Sequence, residues 1–196
     1  MKGDTTWPAP VTLTGAHVRL EPLSHAHAPG LKAAVGDLHR LWYTSVPTPE
    51  RMAAEIDRRL ELQADGSMLA FAICRPDGTP LGMTTYMHID AANRRVEIGS
   101  TWISQAVQRG ALNTEAKYLL LCHAFEVLDC IAVEFRTHRL NSQSRRAIER
   151  LGAQLDGILR SHSVMPNGTL RDTAVYSITA HEWPAVKAGL EGKLSQ

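Results

Sequence analysis

Long hydrophobic stretches are missing from this chain of 196 residues. Its longest uninterrupted apolar run, Met68 to Cys74, is far shorter than the roughly 18 to 20 residues a helix needs to cross a bilayer, so no membrane-spanning segment is expected. Met1 to Pro10 offers polar residues, Trp7 and two prolines in place of an apolar leader, and secretion is not indicated. An excess of one charge is also missing: 21 Lys and Arg stand against 20 Asp and Glu, a formal +1. That balance gives no global electrostatic reason for a nucleic-acid or membrane partner. Arg136, Arg139, Arg145, Arg146 and Arg150 are expected to scatter over a solvated face. Cysteine is sparse and odd in number. Cys74, Cys122 and Cys130 form no C-x-x-C, which argues against a disulfide scaffold or zinc knuckle and favours a reduced, cytoplasmic setting with thiols packed as small hydrophobes. No metal is expected, because His25-x-His27 lacks an accompanying ligand cluster and reads as surface. Repeats, linkers and low-complexity stretches are absent.

What is present is ordinary globular material, 44% apolar and 21% charged, of a length that suits one domain over 1–196, with a core of about 11–180 and a C-terminal helix and tail over 181–196. Val11 to Glu21 alternates like two short strands or one bent one. Ser24 can cap a helix carrying Leu31, Ala34, Val35 and Leu38, and Thr48-Pro49 reads as the start of a second with Met52, Ile56 and Leu60 on one face, ended by Gly66. Met68–Arg75, Leu81–Asp90 and Arg95–Ile103 read as an antiparallel meander, with Pro76-Asp77-Gly78 as its first turn. The strongest helix pattern covers Thr114–Leu128; a buried strand, Cys130–Arg136, and a helix, Asn141–Leu151 closed by Gly152, follow and imply a parallel crossover. Gln154–Met165 and Leu170–Thr179 flank the hairpin signal Pro166-Asn167-Gly168, and His181–Leu190 forms a last helix. The expectation is a mixed α/β (α+β) fold with one central, mostly antiparallel sheet flanked by helices.

Two stretches stand at strand-to-helix junctions. Gln108 to Glu115 is a polar, small-residue loop entering the strongest helix, and free amides at such a start can bind phosphate. Asn141-Ser142-Gln143-Ser144-Arg145-Arg146 follows the next strand, so two strand ends bring polar groups and helix amides together, where open α/β sheets bind ligands.

With this element order, these stretches resemble the GNAT N-acetyltransferase superfamily, in particular its RimJ/RimL-type branch. The resemblance runs from Val18-Arg19-Leu20 to Trp183. It is carried by Glu97-Ile98-Gly99 with Trp102-Ile103, by Asn113-Thr114-Glu115-Ala116 with Ala124-Phe125-Glu126, and by Asn141, Ser144, Arg145, Arg146 and Glu149 to Gly152. Asp156-Gly157, Leu159-Arg160 and Arg171-Asp172 extend it. The resemblance implies a GNAT fold with a splayed parallel strand pair and no metal. Acetyl-CoA is the implied co-substrate, held by Trp102, Ile103, Arg109, Gly110, Ala111, Leu112, Asn113, Thr114, Asn141 and Arg146. The family's loop reads Gln/Arg-x-x-Gly-x-Gly/Ala. Aligned through Thr114-Glu115, this chain has Ala106 at the first position and Arg109 where the first glycine is expected, unless the alignment slips to use Gly110.

The implied chemistry is attack of an amine on a thioester, which calls for a base, an oxyanion donor and an acid. Glu97 is the candidate base, with an exposed carboxylate paired to Arg94 or Arg95 as the alternative. Backbone amide in the Gly99 to Trp102 strand is the candidate oxyanion donor. Many family members carry a tyrosine seven residues after the Asn141 equivalent; here Ile148 stands there, and Ser144 matches the branch's serine as candidate acid, or merely caps the helix. Trp42 and Tyr43 either close the acceptor pocket or plug the core. The implied acceptor is a primary amine, on a protein N-terminus or a small molecule, with direct transfer in a ternary complex. A non-catalytic acyl-CoA sensor on the same fold is the alternative, and a homodimer is left open.

Overall fold

The computed structural model describes residues 7–195; residues 1–6 and 196, the extremes of the expected domain and most of the stretch read for a leader, lie outside it. The alternating Val11–Glu21 segment forms two short strands, β1 (Leu13–Thr14) and β2 (Arg19–Pro22), turned about Gly15 and Val18. Ser24 caps a single 3-10 turn, His25–His27, that runs into α1 (Ala28–Ala34), and Gly36 in the left-handed region ends the segment. Thr48 and Pro49 open a short turn that leads into α2 (Met52–Ala64). The meander follows as β3 (Met68–Cys74), β4 (Pro80–Asp90) and β5 (Arg95–Ile103).

The helix α3 covers Ala111–Cys122 and continues through one π turn, His123–Val127, so it opens three residues before Thr114. Glu115 does not mark the helix start. Its buried carboxylate accepts the backbone N–H groups of Ala16 and His17 at 2.9 and 2.6 Å, tying the β1–β2 turn to α3. Gly15 is required there, since a Cβ would collide with the Glu115 carboxyl group. The chain then forms β6 (Ala132–His138), α4 (Ser142–Leu151), β7 (Gln154–Val164), β8 (Leu170–Thr179) and α5 (Trp183–Leu194).

All eight strands form one sheet in the order β1-β2-β3-β4-β5-β6-β8-β7. Every neighbouring pair is antiparallel except β5 and β6, joined by the α3 crossover. The run Met68–Cys74 is fully apolar because both faces of β3 are covered. Leu69, Phe71 and Ile73 join the core under α3 and α5; Met68, Ala70 and Ala72 join a second core under α1 and α2. Among the described residues no helix is long and apolar enough to cross a membrane.

Candidate active site

The parallel pair is short. Only Arg95, Val96 and Glu97 pair with Ala132, Val133 and Glu134; beyond Glu97 the two strands run on unpaired to Ile103 and His138, leaving a fork. Val96 and Ile98 face the core under α3, so alternation turns Glu97 to the other face of the sheet. Its carboxylate is buried, 2.7 Å from His88 Nδ1 and 3.4 Å from Arg136 Nε. The alternative pairing does not occur: Arg94 pairs with Asp129, and Arg95 with Glu134. Gly99 lets the carboxylate lie along the strand, since a Cβ there would stand 2.7 Å from both Glu97 Oε1 and Met87 Sδ.

His88 sits on β4 with φ of 46°, an uncommon backbone state for a non-glycine residue, and its ring is more than half exposed. The hydrogen bond to Glu97 raises its pKa above the ordinary histidine value. With Nδ1 donating to Glu97, Nε2 carries the lone pair, and the residue lines a cleft of about 220 Å³ together with Glu97, Glu134, Arg136 and Asp90. Sequence reading missed His88 and Arg136. The available signal was the hairpin register, which sets Met87 opposite Glu97 and so brings position 88 beside it.

The start of α3 is built for an anion. Gly110 is the N-cap and supplies no side-chain bond, so the amides of Ala111, Leu112 and Asn113 have no partner within the helix. Arg109 adopts φ of 65°, the left-handed conformation that favours glycine, whereas Gly110 is extended at φ of −102°. The left-handed residue of this loop is therefore Arg109, the position aligned through Thr114-Glu115 with the family's first glycine, and not Gly110. A Cβ on Gly110 would meet nothing closer than the Val107 carbonyl oxygen at 3.7 Å, so the space in front of the helix is open. These groups fit a pyrophosphate. Trp102, Ile103 and Leu112 turn their side chains into the cores, which leaves them backbone groups to offer a ligand; Thr114 is half-buried one turn into the helix.

At the next junction Asn141 is the N-cap of α4, its Oδ1 accepting from Ser144 N at 3.0 Å. Ser144 gives its amide to the cap, so the reading of its hydroxyl as the cap is corrected. Ile148 is in the core, Arg145 donates to Tyr176 Oη at 2.8 Å, and Arg146 is exposed. Trp42 is exposed and outside the core. It stands edge-on to Tyr43 and, at 5.2 Å between ring centroids, to His138 at the free end of β6. His138 Nδ1 accepts the Leu140 amide, which places its proton on Nε2, buried without a protein partner.

Elsewhere, burial pushes the thiols of Cys74 and Cys130 up to about 11 and raises Cys122 as well, which leaves all three poor nucleophiles. The surface reading of His27 is corrected. His27 is buried, bonded to Ser24 and 3.3 Å from Glu21, and Cys74 completes the one group of metal-ligand types among the described residues. Arg19 lies 3.1 Å from Glu21 and shares that carboxylate.

The profile of the family described as acetyltransferase (GNAT) domain matches residues 17–154. A protein of Bacillus subtilis (strain 168) named "Putative ribosomal N-acetyltransferase YdaF" is 32% identical over 111 residues, 57% of this chain and 60% of that protein. The chain thus spans well under two thirds of that relative's length. Among solved structures, a GCN5-related N-acetyltransferase from Brucella melitensis is 34% identical, with a TM-score of 0.86 over 95% of this chain and 86% of that one. RimJ of Mycobacterium smegmatis, at 24% identity, shares the fold with a TM-score of 0.79 over 94% and 95% of the two chains.

Proposed function

The chain belongs to the GNAT acetyltransferase family, and we propose that it transfers an acetyl group from acetyl-CoA to a primary amine by direct attack in a ternary complex. The observation that carries this reading is the buried Glu97 holding His88 at the fork between β5 and β6. Acetyl-CoA supplies an activated acyl group. The amides opening α3 and the exposed Arg146 suit its phosphates, and the fork gives its thioester arm a path between the strands. The amine lone pair forms the C–N bond at the carbonyl carbon, the C–S bond breaks, and its electron pair leaves on sulfur. His88 Nε2 takes the amine proton while Glu97 fixes the tautomer, the arrangement general-base catalysis requires. In this reading the Ser144 hydroxyl, in the first turn of α4, hydrogen-bonds the departing sulfur. In this reading Trp42 and Tyr43 border the acceptor side, a role supported by the stacking of exposed Trp42 edge-on against Tyr43 and His138.

The relative named for ribosomal N-acetylation favours a protein N-terminus as acceptor. The three free cysteines accord with work in a reducing, cytoplasmic setting. The test is free-thiol release from acetyl-CoA with a panel of N-terminal peptides and small amines. Amine-dependent release is expected. Tight acetyl-CoA binding without release with any amine would identify an acyl-CoA sensor instead.

A further inference from the structure

Two buried cations that play no part in the proton transfer converge on one place in β5. Its pairing with β4 is interrupted between Gly99 and Trp102, and Ser100 there takes φ of 46°. From α2, on one face of the sheet, Arg59 reaches this bulge with only 1% of its side chain exposed. Its Nη2 donates to the Ser100 carbonyl at 3.0 Å, its Nε to Glu55 at 2.7 Å, and its Nη1 has no partner. From α3, on the opposite face, Lys117 is buried with its ammonium 2.8 Å from Thr101 Oγ1 and 3.3 Å from Thr84 Oγ1. Thr84 and Thr101 bond each other at 2.7 Å, and among the described residues no carboxylate pairs with the lysine. Glu55 compensates Arg59, but Lys117 is buried without such a partner at a cost to the fold, and two basic side chains meeting at one strained bulge call for an explanation beyond packing.

We propose that Arg59 and Lys117 are positioning residues that bias the β5 bulge positive, so that its backbone stabilises the negative charge developing on the thioester carbonyl oxygen during acyl transfer. This rests on the acetyl-CoA reading above. The physical route is short. Ser100 C=O and Thr101 N–H belong to one peptide unit, and a guanidinium bonded to the carbonyl polarises the N–H on its other side. Lys117 holds the Thr101 side chain and, while protonated, adds its field in a dry environment, where charge acts most strongly. Arg59 also holds the left-handed Ser100 in place, which fixes the direction of those amides before the acyl group arrives.

The experiment is isotope-edited infrared spectroscopy of acetyl-CoA carrying a ¹³C carbonyl, bound to the full chain at pH 6. It needs no acceptor. In the parent the carbonyl band is expected to move to lower frequency on binding. In Arg59→Met and Lys117→Met the band should return at least halfway to its free position, while acetyl-CoA affinity by calorimetry stays within about threefold. Arg59→Lys should retain part of the shift. Lys117→Met swaps a buried ammonium for an apolar group of similar length, so it carries the test if Arg59→Met fails to fold. A band at the parent position in the folded variants overturns this proposal alone. Failure of the parent to bind acetyl-CoA overturns the acyl-CoA reading and this proposal with it.

Discussion

Glu97 was legible as a candidate base because a carboxylate beside a glycine two residues on is what the family pattern offers. What it leans on was not legible, because His88 and Arg136 come from the strands on either side and only register brings them near. The pair makes a prediction about pH. The bond to Glu97 raises the His88 pKa, so its free base forms at higher pH than that of an unpaired imidazole, and kcat/KM should rise with pH through that elevated value. Glu97→Gln removes the largest cause of the shift, so the acidic limb should move to lower pH while the plateau falls by about 10² to 10⁴. Acetyl-CoA affinity should hold. A superimposable pH–rate profile in the variant would make Glu97 purely structural. At α4 the cap belongs to Asn141, so Asn141→Ala should lower stability by about 1 kcal/mol. Ser144→Ala should leave the melting temperature unmoved and slow turnover by about tenfold to a hundredfold. Melting and turnover measured on both variants separate these roles, and full activity in Ser144→Ala would remove the hydroxyl from the mechanism.

At the scale of elements, periodicity anticipated the main helices and the strands of the sheet but shifted several bounds: Leu38, expected on the first helix, lies in a separate 3-10 turn after α1 ends at Ala34, β6 runs two residues later than Cys130–Arg136, and the shift that matters most lies at the site. Ala111-Leu112-Asn113 read as loop because polar and small residues surround them, yet Leu112 begins the stripe that Ala116 and Leu120 continue into the core. The helix therefore starts one turn earlier and delivers its free amides beside Arg109. Helix α3 also carries Lys117 inward, where periodicity would have predicted an apolar residue. Burial pushes that ammonium down to about 7 from an ordinary value of 10.5. Below pH 7 both folded and unfolded chains hold the proton, and the folded state bears the full burden of a buried charge. Between pH 7 and 10.5 the unfolded chain holds more protons, so stability rises with pH, and above that range the burden is gone. Lys117→Met should therefore stabilise the protein most below pH 7, with the gain shrinking steadily towards pH 10. Denaturant unfolding of parent and variant across that range checks it; a gain independent of pH would mean that folded and unfolded chains bind the Lys117 proton equally and that burial leaves its pKa unshifted.

At the scale of the whole molecule, the sheet is two blocks. Strands β1 to β5 form one, and β6, β8 and β7 the other, joined across the sheet by just three paired positions in the parallel strands. That division could be anticipated from the element order, because the crossover that joins parallel neighbours falls between β5 and β6. The shelf that Trp42 forms against His138 could not, since it depends on a loop reaching over from before α2. A ligand lying in the fork touches both blocks and braces the join, and one that binds only the folded state stabilises it by mass action. At a free concentration about a hundred times its dissociation constant, that contribution is about 2.7 kcal/mol. For a chain of this size each kcal/mol moves the melting midpoint by roughly 2–4 °C, so saturating acetyl-CoA should raise it by roughly 5–11 °C. Gly110→Val sets a branched side chain over the α3 amides while meeting no protein atom closer than 3.7 Å at its Cβ. Its own melting point should thus stay near the parent's, and its acetyl-CoA shift should shrink towards zero. An undiminished shift in that variant would move the pyrophosphate away from the start of α3.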